Sequence, residues 1–190
     1  GSVQDLQCEV ADYVFSDMNH VQVSKIAGVV NSQFSEITWF YPSEASSEND
    51  RYVTWNYDDN TWSIGTLGRT SGIDRGVFIQ PIYCGSTDYK LYEHEIGFSY
   101  DNIVPFAESG PIQIGSGDQM LSCTKLIPDE KTAGDVTAKF KTKNFPNGQE
   151  IEHGPHLMAT PTSVRFAGKE VRMRVEGAIG ADWRVGIMRL

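Results

Sequence analysis

Three short stretches of this sequence have residue types and spacings that could do chemistry. The first is Glu93-His94-Glu95. On an extended strand the two carboxylates point the same way, about 7 Å apart, a separation within reach of paired-carboxylate glycoside hydrolysis. Neighbours on one strand face do not straddle a sugar bond, however, so a solvated strand end is the better reading. The second is His153-Gly154-Pro155-His156. Two imidazoles three residues apart could ligate a metal, but Gly and Pro predict a loop and no third ligand stands out. The third, Gly115-Ser116-Gly117-Asp118, reads as a turn. Gly-x-Ser-x-Gly and the phosphate-binding glycine patterns are absent, and no helix pattern follows Gly65-Thr66-Leu67-Gly68-Arg69. The acid–arginine neighbours Asp50-Arg51, Asp74-Arg75 and Asp182-Trp183-Arg184 read as ion pairs or turn caps, worth about 0–1 kcal/mol when exposed. No catalytic, cofactor-binding or metal-binding residue is assigned, and the chain is expected not to be an enzyme.

Composition narrows the class further. The 190 residues carry a net charge of −9. Residues 1–100 hold 14 acidic and 5 basic side chains, and residues 101–190 hold 11 of each. The acidic half would repel a phosphate backbone, so direct nucleic-acid binding is not expected. Bases cluster in the second half at Lys139, Lys141, Lys143, Arg172, Arg174, Arg184 and Arg189. They read as a solvated strand face, or as a docking face for an acidic neighbour. Cys8, Cys84 and Cys123 are odd in number and far apart, which predicts free thiols in a reducing compartment. No apolar stretch approaches the ~18 residues of a membrane span. No signal peptide is seen, and the Gly1-Ser2 start looks like the remnant of a cleaved tag.

The elements that must position these residues are mostly strands. Val10, Tyr13 and Phe15 suggest an edge strand within residues 3–15, and one short helix is expected over about residues 18–32. The run Glu36–Gly97 then holds short aromatic strands joined by polar turns. Strands are expected at Ile37–Tyr41, Arg51–Tyr57, Thr61–Leu67, Val77–Ile79, Ile82–Cys84 and Tyr89–His94, with a long connection at Gly68–Gly76. The alternation of Val53, Trp55 and Tyr57 against Tyr52, Thr54 and Asn56 makes Arg51–Leu67 the clearest hairpin. Four or five such strands match one blade of a β-propeller, closed by the Glu93-His94-Glu95 strand. Beyond residue 100, strands are expected at Gln119–Ile127, Val136–Lys143, Thr162–Phe166, Glu170–Glu176 and Ala181–Met188. Their apolar/charged alternation is that of an antiparallel sandwich. The expected architecture is all-β: a partial propeller-like domain with one short helix over residues 1–100, then a β-sandwich domain over residues 101–190.

The combination of motifs resembles the C-terminal part of a family of short-tailed bacteriophage proteins, the tail-hub or packaged-DNA stabilisation proteins. The residues that carry the resemblance are Trp39-Phe40-Tyr41-Pro42-Ser43, Ser47 to Val53, Trp62 with Gly65-Thr66-Leu67, Arg69-Thr70, Asp74-Arg75-Gly76, Pro81-Ile82 and Leu91 to Glu95. Asp12 to Asp17, Asn144-Phe145-Pro146 and Asp182-Trp183-Arg184-x-Gly186 are similar as well. The resemblance spans most of the chain. It implies a virion structural protein, assembled in the bacterial host cytoplasm, that docks in a ring beside the portal. Family chains are longer, so several blades are expected to precede residue 1.

On that reading the partners are portal or tail components, with a homo-oligomer in the full-length parent and no membrane span. Arg51, Tyr52 and Trp55 are its structural signature residues. The alternative is a carbohydrate- or receptor-binding β module of a phage tail, which needs exposed aromatics beside carboxylates. A third reading is a glycan-cleaving tail enzyme using Glu93 and Glu95.

Overall fold

The computed structural model describes residues 5–114, 117–129 and 131–186. Over these residues the protein is all-β, built of several antiparallel sheets, none of them closed into a barrel. The chain divides into two compact units, Gly1–Ile96 and Gly97–Leu190.

The first unit opens with a helix, α1 (Ala11–Asp17). Val10, Val14 and Met18 recur every four residues, and Val14 and Met18 are buried in one cluster against which Val10 packs. This corrects the expected edge strand within residues 3–15, because Tyr13 and Phe15 fall on the exposed side of that helix. The helix expected over residues 18–32 is also replaced. Asn19 caps a short 3-10 helix, His20–Lys25, by accepting from the Val21 amide at 3.0 Å. The chain then extends as β1 (Ala27–Asn31). Pairing with β2 (Glu36–Tyr41) satisfies its backbone, and Gly28 leaves room for the Trp39 ring opposite.

Strands β3 (Arg51–Asn56) and β4 (Thr61–Thr66) complete a four-stranded meander in the order β1-β2-β3-β4. Trp55 lies opposite Trp62, as the expected hairpin requires. One face buries Tyr41 and Val53 under α1, with Trp39 and Trp62 packed beside them. The other buries Val29 and Phe40 against Tyr83 of a second sheet. That second sheet is β5 (Arg69–Ile73), β6 (Ile82–Gly85) and β7 (Leu91–Glu93). Three expectations are corrected here. Residues 69–73 are a strand inside the expected long connection, and Val77–Ile79 is not a strand. The Glu93 strand does not close the four-stranded sheet, which ends at β4; β7 belongs to the second sheet.

The second unit is a sandwich. Its larger sheet joins β8 (Phe106–Glu108), β9 (Ile112–Gln113), β11 (Thr137–Lys143), β12 (Ile151–Leu157) and β14 (Glu170–Glu176). Its smaller sheet pairs β10 (Leu121–Leu126) with β13 (Thr162–Gly168). Between them lie Leu126, Val136, Ala138, Phe140, Val164, Phe166, Val171 and Val175. Strand β11 alternates strictly, with Ala138, Phe140 and Thr142 buried and Lys139, Lys141 and Lys143 on the other face. The expected strand Ala181–Met188 is absent over its described residues. Arg184 makes one isolated bridge to Ala133, while Ile187 and Met188 lie outside the described residues. Trp183 instead packs over Gly177, where a Cβ would come within 2.4 Å of the ring.

Candidate functional site

The chemistry-bearing residues of the first unit gather where β1 ends, β2 begins and β7 ends. Asn31 closes β1, and its Oδ1 accepts from the Gln33 amide at 3.2 Å to start the hairpin turn. Its Nδ2 donates to Glu95 Oε1 at 3.2 Å. Glu36, the first residue of β2, faces the same side of the sheet as its register partner Asn31. Burial raises the Glu36 carboxyl above the ordinary range, and the Glu95 charge raises it further. Burial also raises Glu95, partly opposed by the Asn31 hydrogen bond. Tyr83 on β6 is 5% exposed. Burial and then the charges of Glu95, Asp74 and Glu36 push its hydroxyl up to about 12.

A second layer holds this group. Arg69 on β5 donates from Nε to His94 Nε2 at 3.0 Å and from Nη1 to the Gly68 carbonyl at 2.9 Å. Its guanidinium lies 4.1 Å from the Tyr92 ring centre, and the Tyr92 hydroxyl donates to Asp88. Because a guanidinium only donates, His94 accepts at Nε2 and carries its proton on Nδ1. The His94 ring sits 4.2 Å from Tyr83. Asp74 accepts from the Ser32 and Arg75 amides, at 3.1 and 2.8 Å. Burial works against the Asp74 charge, but the Ser32 side chain, these two amides and the Arg75 charge outweigh it and hold the carboxyl below its ordinary value.

This arrangement changes the reading of Glu93-His94-Glu95. Glu93 ends β7, and Glu95 lies beyond it with φ +61°, so the two are not successive side chains on one strand face. Glu95 instead reaches Asn31, 64 positions away in the sequence, and its charge acts on Glu36. No local pattern could have paired them.

The remaining candidates have structural roles. Asp50 accepts from the Ser43 amide and hydroxyl, at 2.7 and 2.8 Å. Arg51 lies 3.7 Å from Asp17. Tyr52 covers Gly65, and Trp55 stacks on Trp62 at 6.1 Å. The row continues from Trp62 to Trp39 and from Trp55 to Tyr57, each at 6.2 Å.

His153 and His156 lie on strand β12, not in a loop. A bulge lets residues three apart on β12 face Phe140 and Ala138, two apart on β11. Both rings therefore turn toward the core, His153 near Phe166 and His156 near Phe140. No group of three or more metal-ligating side chains forms among the described residues.

The lysine face is not simply solvated. Lys141 and Arg174 pair with Glu108 at 3.0 and 3.3 Å, and Lys139 and Arg174 with Glu176 at 3.1 and 2.7 Å. Asp182 and Arg184 form an exposed pair at 3.2 Å. Cys8, Cys84 and Cys123 are free thiols, Cys123 buried. Residues 115 and 116 and Arg189 lie outside the described residues.

No helix among the described residues is long and apolar enough to cross a membrane. No protein-family model matches the chain, and no curated protein matches it. Among solved structures it is similar to the exo-β-1,3-galactanase of Phanerochaete chrysosporium with bound galactose. The TM-score is 0.25 at 9% identity, over 88% of this chain and 56% of that one. A variant of the same enzyme with β-1,3-galactotriose gives 0.24 and 9%, over 85% of this chain and 54% of the other. The chain thus spans little more than half the length of these neighbours, and a likeness at this level defines neither fold nor activity.

Proposed function

We propose that this chain is a non-enzymatic docking component of a protein assembly and, on its sequence resemblance, of the tail hub of a short-tailed phage. The observation that carries the docking reading is the β5–β6 connection. It presents Val77, Phe78 and Ile79 in succession at 99%, 50% and 85% exposure. Three adjacent apolar side chains left in water are costly unless a partner covers them. They act as the anchor of the contact, with the virion as the place of action and portal or tail proteins as partners. Native mass measurement of the full-length parent mixed with its portal protein tests this. A defined complex is expected, and it should be lost in a Val77→Asp/Ile79→Asp variant. Two unassociated species, or a complex indifferent to the variant, would count against the reading.

A second reading is carbohydrate binding, favoured by the row of aromatics ending at exposed Tyr57 beside Asp58 and Asp59. Trp39, Trp62 and Trp55 stack against one another, so Tyr57 is the exposed end of the row. Glycan-array binding that disappears in Tyr57→Ala is the expected result on this reading. Unchanged binding, or none, removes it.

A further inference from the structure

We propose that the free edge of β4 takes up an extended strand from a partner protein, a strand that alternates threonine with aliphatic side chains and is basic at its C-terminal end. This contact is separate from the Val77–Ile79 tip and stands on its own observations. β4 ends the four-stranded order, so β3 pairs one of its two edges. The Leu67 amide donates to the Asp50 carbonyl at 3.1 Å, which sets the phase of the ladder. In an antiparallel pair, successive residues turn their backbone groups to opposite sides. Thr61, Ser63 and Gly65 therefore address β3, and Trp62, Ile64 and Thr66 address the outer side. Among the described residues no backbone hydrogen bond meets that outer row. The Trp62 indole donates to the Gln7 carbonyl at 3.1 Å, a side-chain contact only, and Ser63, Ile64 and Thr66 are exposed.

The second support is what this edge lacks. Sheet edges that face water are ordinarily guarded by charge, proline, a bulge, shortness or a covering element. The other edges of this chain are guarded in these ways. β1, at the far side of the same sheet, lies against β5. β7, β8 and β9 have three residues or fewer. β12 carries Glu152, Pro155 and a bulge. β10 and β13 share a bulge and carry Lys125 and Arg165. β4 alone runs six residues in unbroken register, Thr-Trp-Ser-Ile-Gly-Thr, with neither charge nor proline. An edge left this open is built to be paired.

The chemistry of the row selects its occupant. Donors and acceptors that recur every second residue, about 7 Å apart, match the backbone of another extended chain. Residues opposite one another in a ladder share a face. Those opposite Trp62 and Ile64 fall on the face that packs α1, where Trp62 borders the buried cluster and Ile64 is still 38% exposed. Aliphatic side chains fit there, and small hydroxyl side chains fit the other face beside Thr61 and Ser63. Charge decides between a partner and a second copy. Residues 1–100 carry 14 acidic and 5 basic side chains, and exposed Asp58 and Asp59 stand just before Thr61. An incoming antiparallel strand brings its C-terminal end to that turn, so lysines there are attracted. A second copy brings an equally acidic half and is repelled.

The test is an NMR titration of the full chain at pH 7 and low salt with the capped peptide Thr-Val-Thr-Val-Thr-Lys-Lys. The Trp62, Ile64 and Thr66 backbone amides should shift saturably. Two N-methylated peptides then read the backbone pairing without any change to the protein. In the proposed register the valines oppose the outward residues, so methylating the valine amides should abolish binding. Methylating the threonine amides should leave it in place, because those amides point to solvent. A peptide ending in Glu-Glu should bind at least about tenfold more weakly, the effect of reversing its charge beside an acidic turn. Ile64→Lys, which adds the missing guard, should abolish binding while the rest of the spectrum keeps its folded dispersion. No binding, equal binding of the two methylated peptides, or shifts that spare Trp62 to Thr66 would overturn the proposal. So would a concentration-dependent dimer in sedimentation whose formation shifts the same three amides, since the edge would then belong to a second copy.

Discussion

At the scale of single residues, the carboxylates of this chain fall into two groups with opposite pH behaviour. The Arg174 hydrogen bond first, then Lys139, holds Glu176 below the usual range, against the opposing effect of burial. Burial works against the Glu108 charge, but bonds from Lys141 and Arg174 outweigh it. Folded values below the unfolded one mean that these acids stabilise the fold above about pH 4.3. That contribution is lost as pH falls through the depressed folded values. Glu108→Gln should therefore cost about 1 kcal/mol at pH 7, by stranding two half-buried cations. The deficit should shrink toward pH 3 in urea titrations. Glu36 and Glu95 run the other way, because their folded values are raised. What they contribute is present below about pH 4.3 and lost as pH rises through the raised values. Glu36→Gln should raise the melting temperature at pH 7 and have no effect near pH 3.5. A variant that is less stable at pH 7 would contradict the unpaired-charge account.

At the scale of elements, close packing sets what each strand tolerates. Gly72 on β5 lies opposite Tyr83 on β6, and an added Cβ would stand 2.2 Å from the ring and 3.0 Å from the Ile82 carbonyl. The obstructing atom is at the root of a buried ring, so it cannot swing aside. Gly72→Ala should cost about 1–3 kcal/mol by overpacking and perturb the Tyr83 side chain, which chemical denaturation and aromatic NMR signals would report. Gly65 differs, since the tip of the Tyr52 ring covers it. In the sandwich, Phe140 is fully buried and stacks on Phe166 at 4.6 Å. Phe140→Ala should cost about 3–5 kcal/mol, measured by denaturant midpoint at unchanged slope.

At the scale of the whole molecule, each unit has its own core. Tyr41, Val53, Phe40 and Tyr83 are buried in the first, and Phe140, Leu126 and Val171 in the second. Calorimetry should accordingly resolve the effect of Phe140→Ala in one transition, with a second transition left in place. A single transition that shifts as a unit would contradict this. The charge asymmetry is also a whole-molecule property. The first half carries the −9, and it is the half that bears the exposed apolar tip Val77–Ile79.

Much of the fold was legible because strand alternation is a local signal. The Arg51–Thr66 hairpin, strand β11 and strand β14 each follow from side chains that alternate between a buried and an open face. The failures have a common cause. Residues 11–17 and 27–31 are short and ambiguous in pattern, and each takes its form from what packs against it: α1 from the cluster around Tyr41 and Val53, β1 from pairing with β2. His153 and His156 looked like loop histidines because no sequence pattern announces the bulge that turns both inward. The candidate site was half visible, in Glu93-His94-Glu95. What the amino-acid order determined by itself was an all-β chain with an acidic first half and aromatic hairpins, since period-two patterning and charge are written residue by residue. Only the tertiary structure decided that Glu95 meets Asn31 and not Glu93, because that contact depends on a second sheet packing across the first.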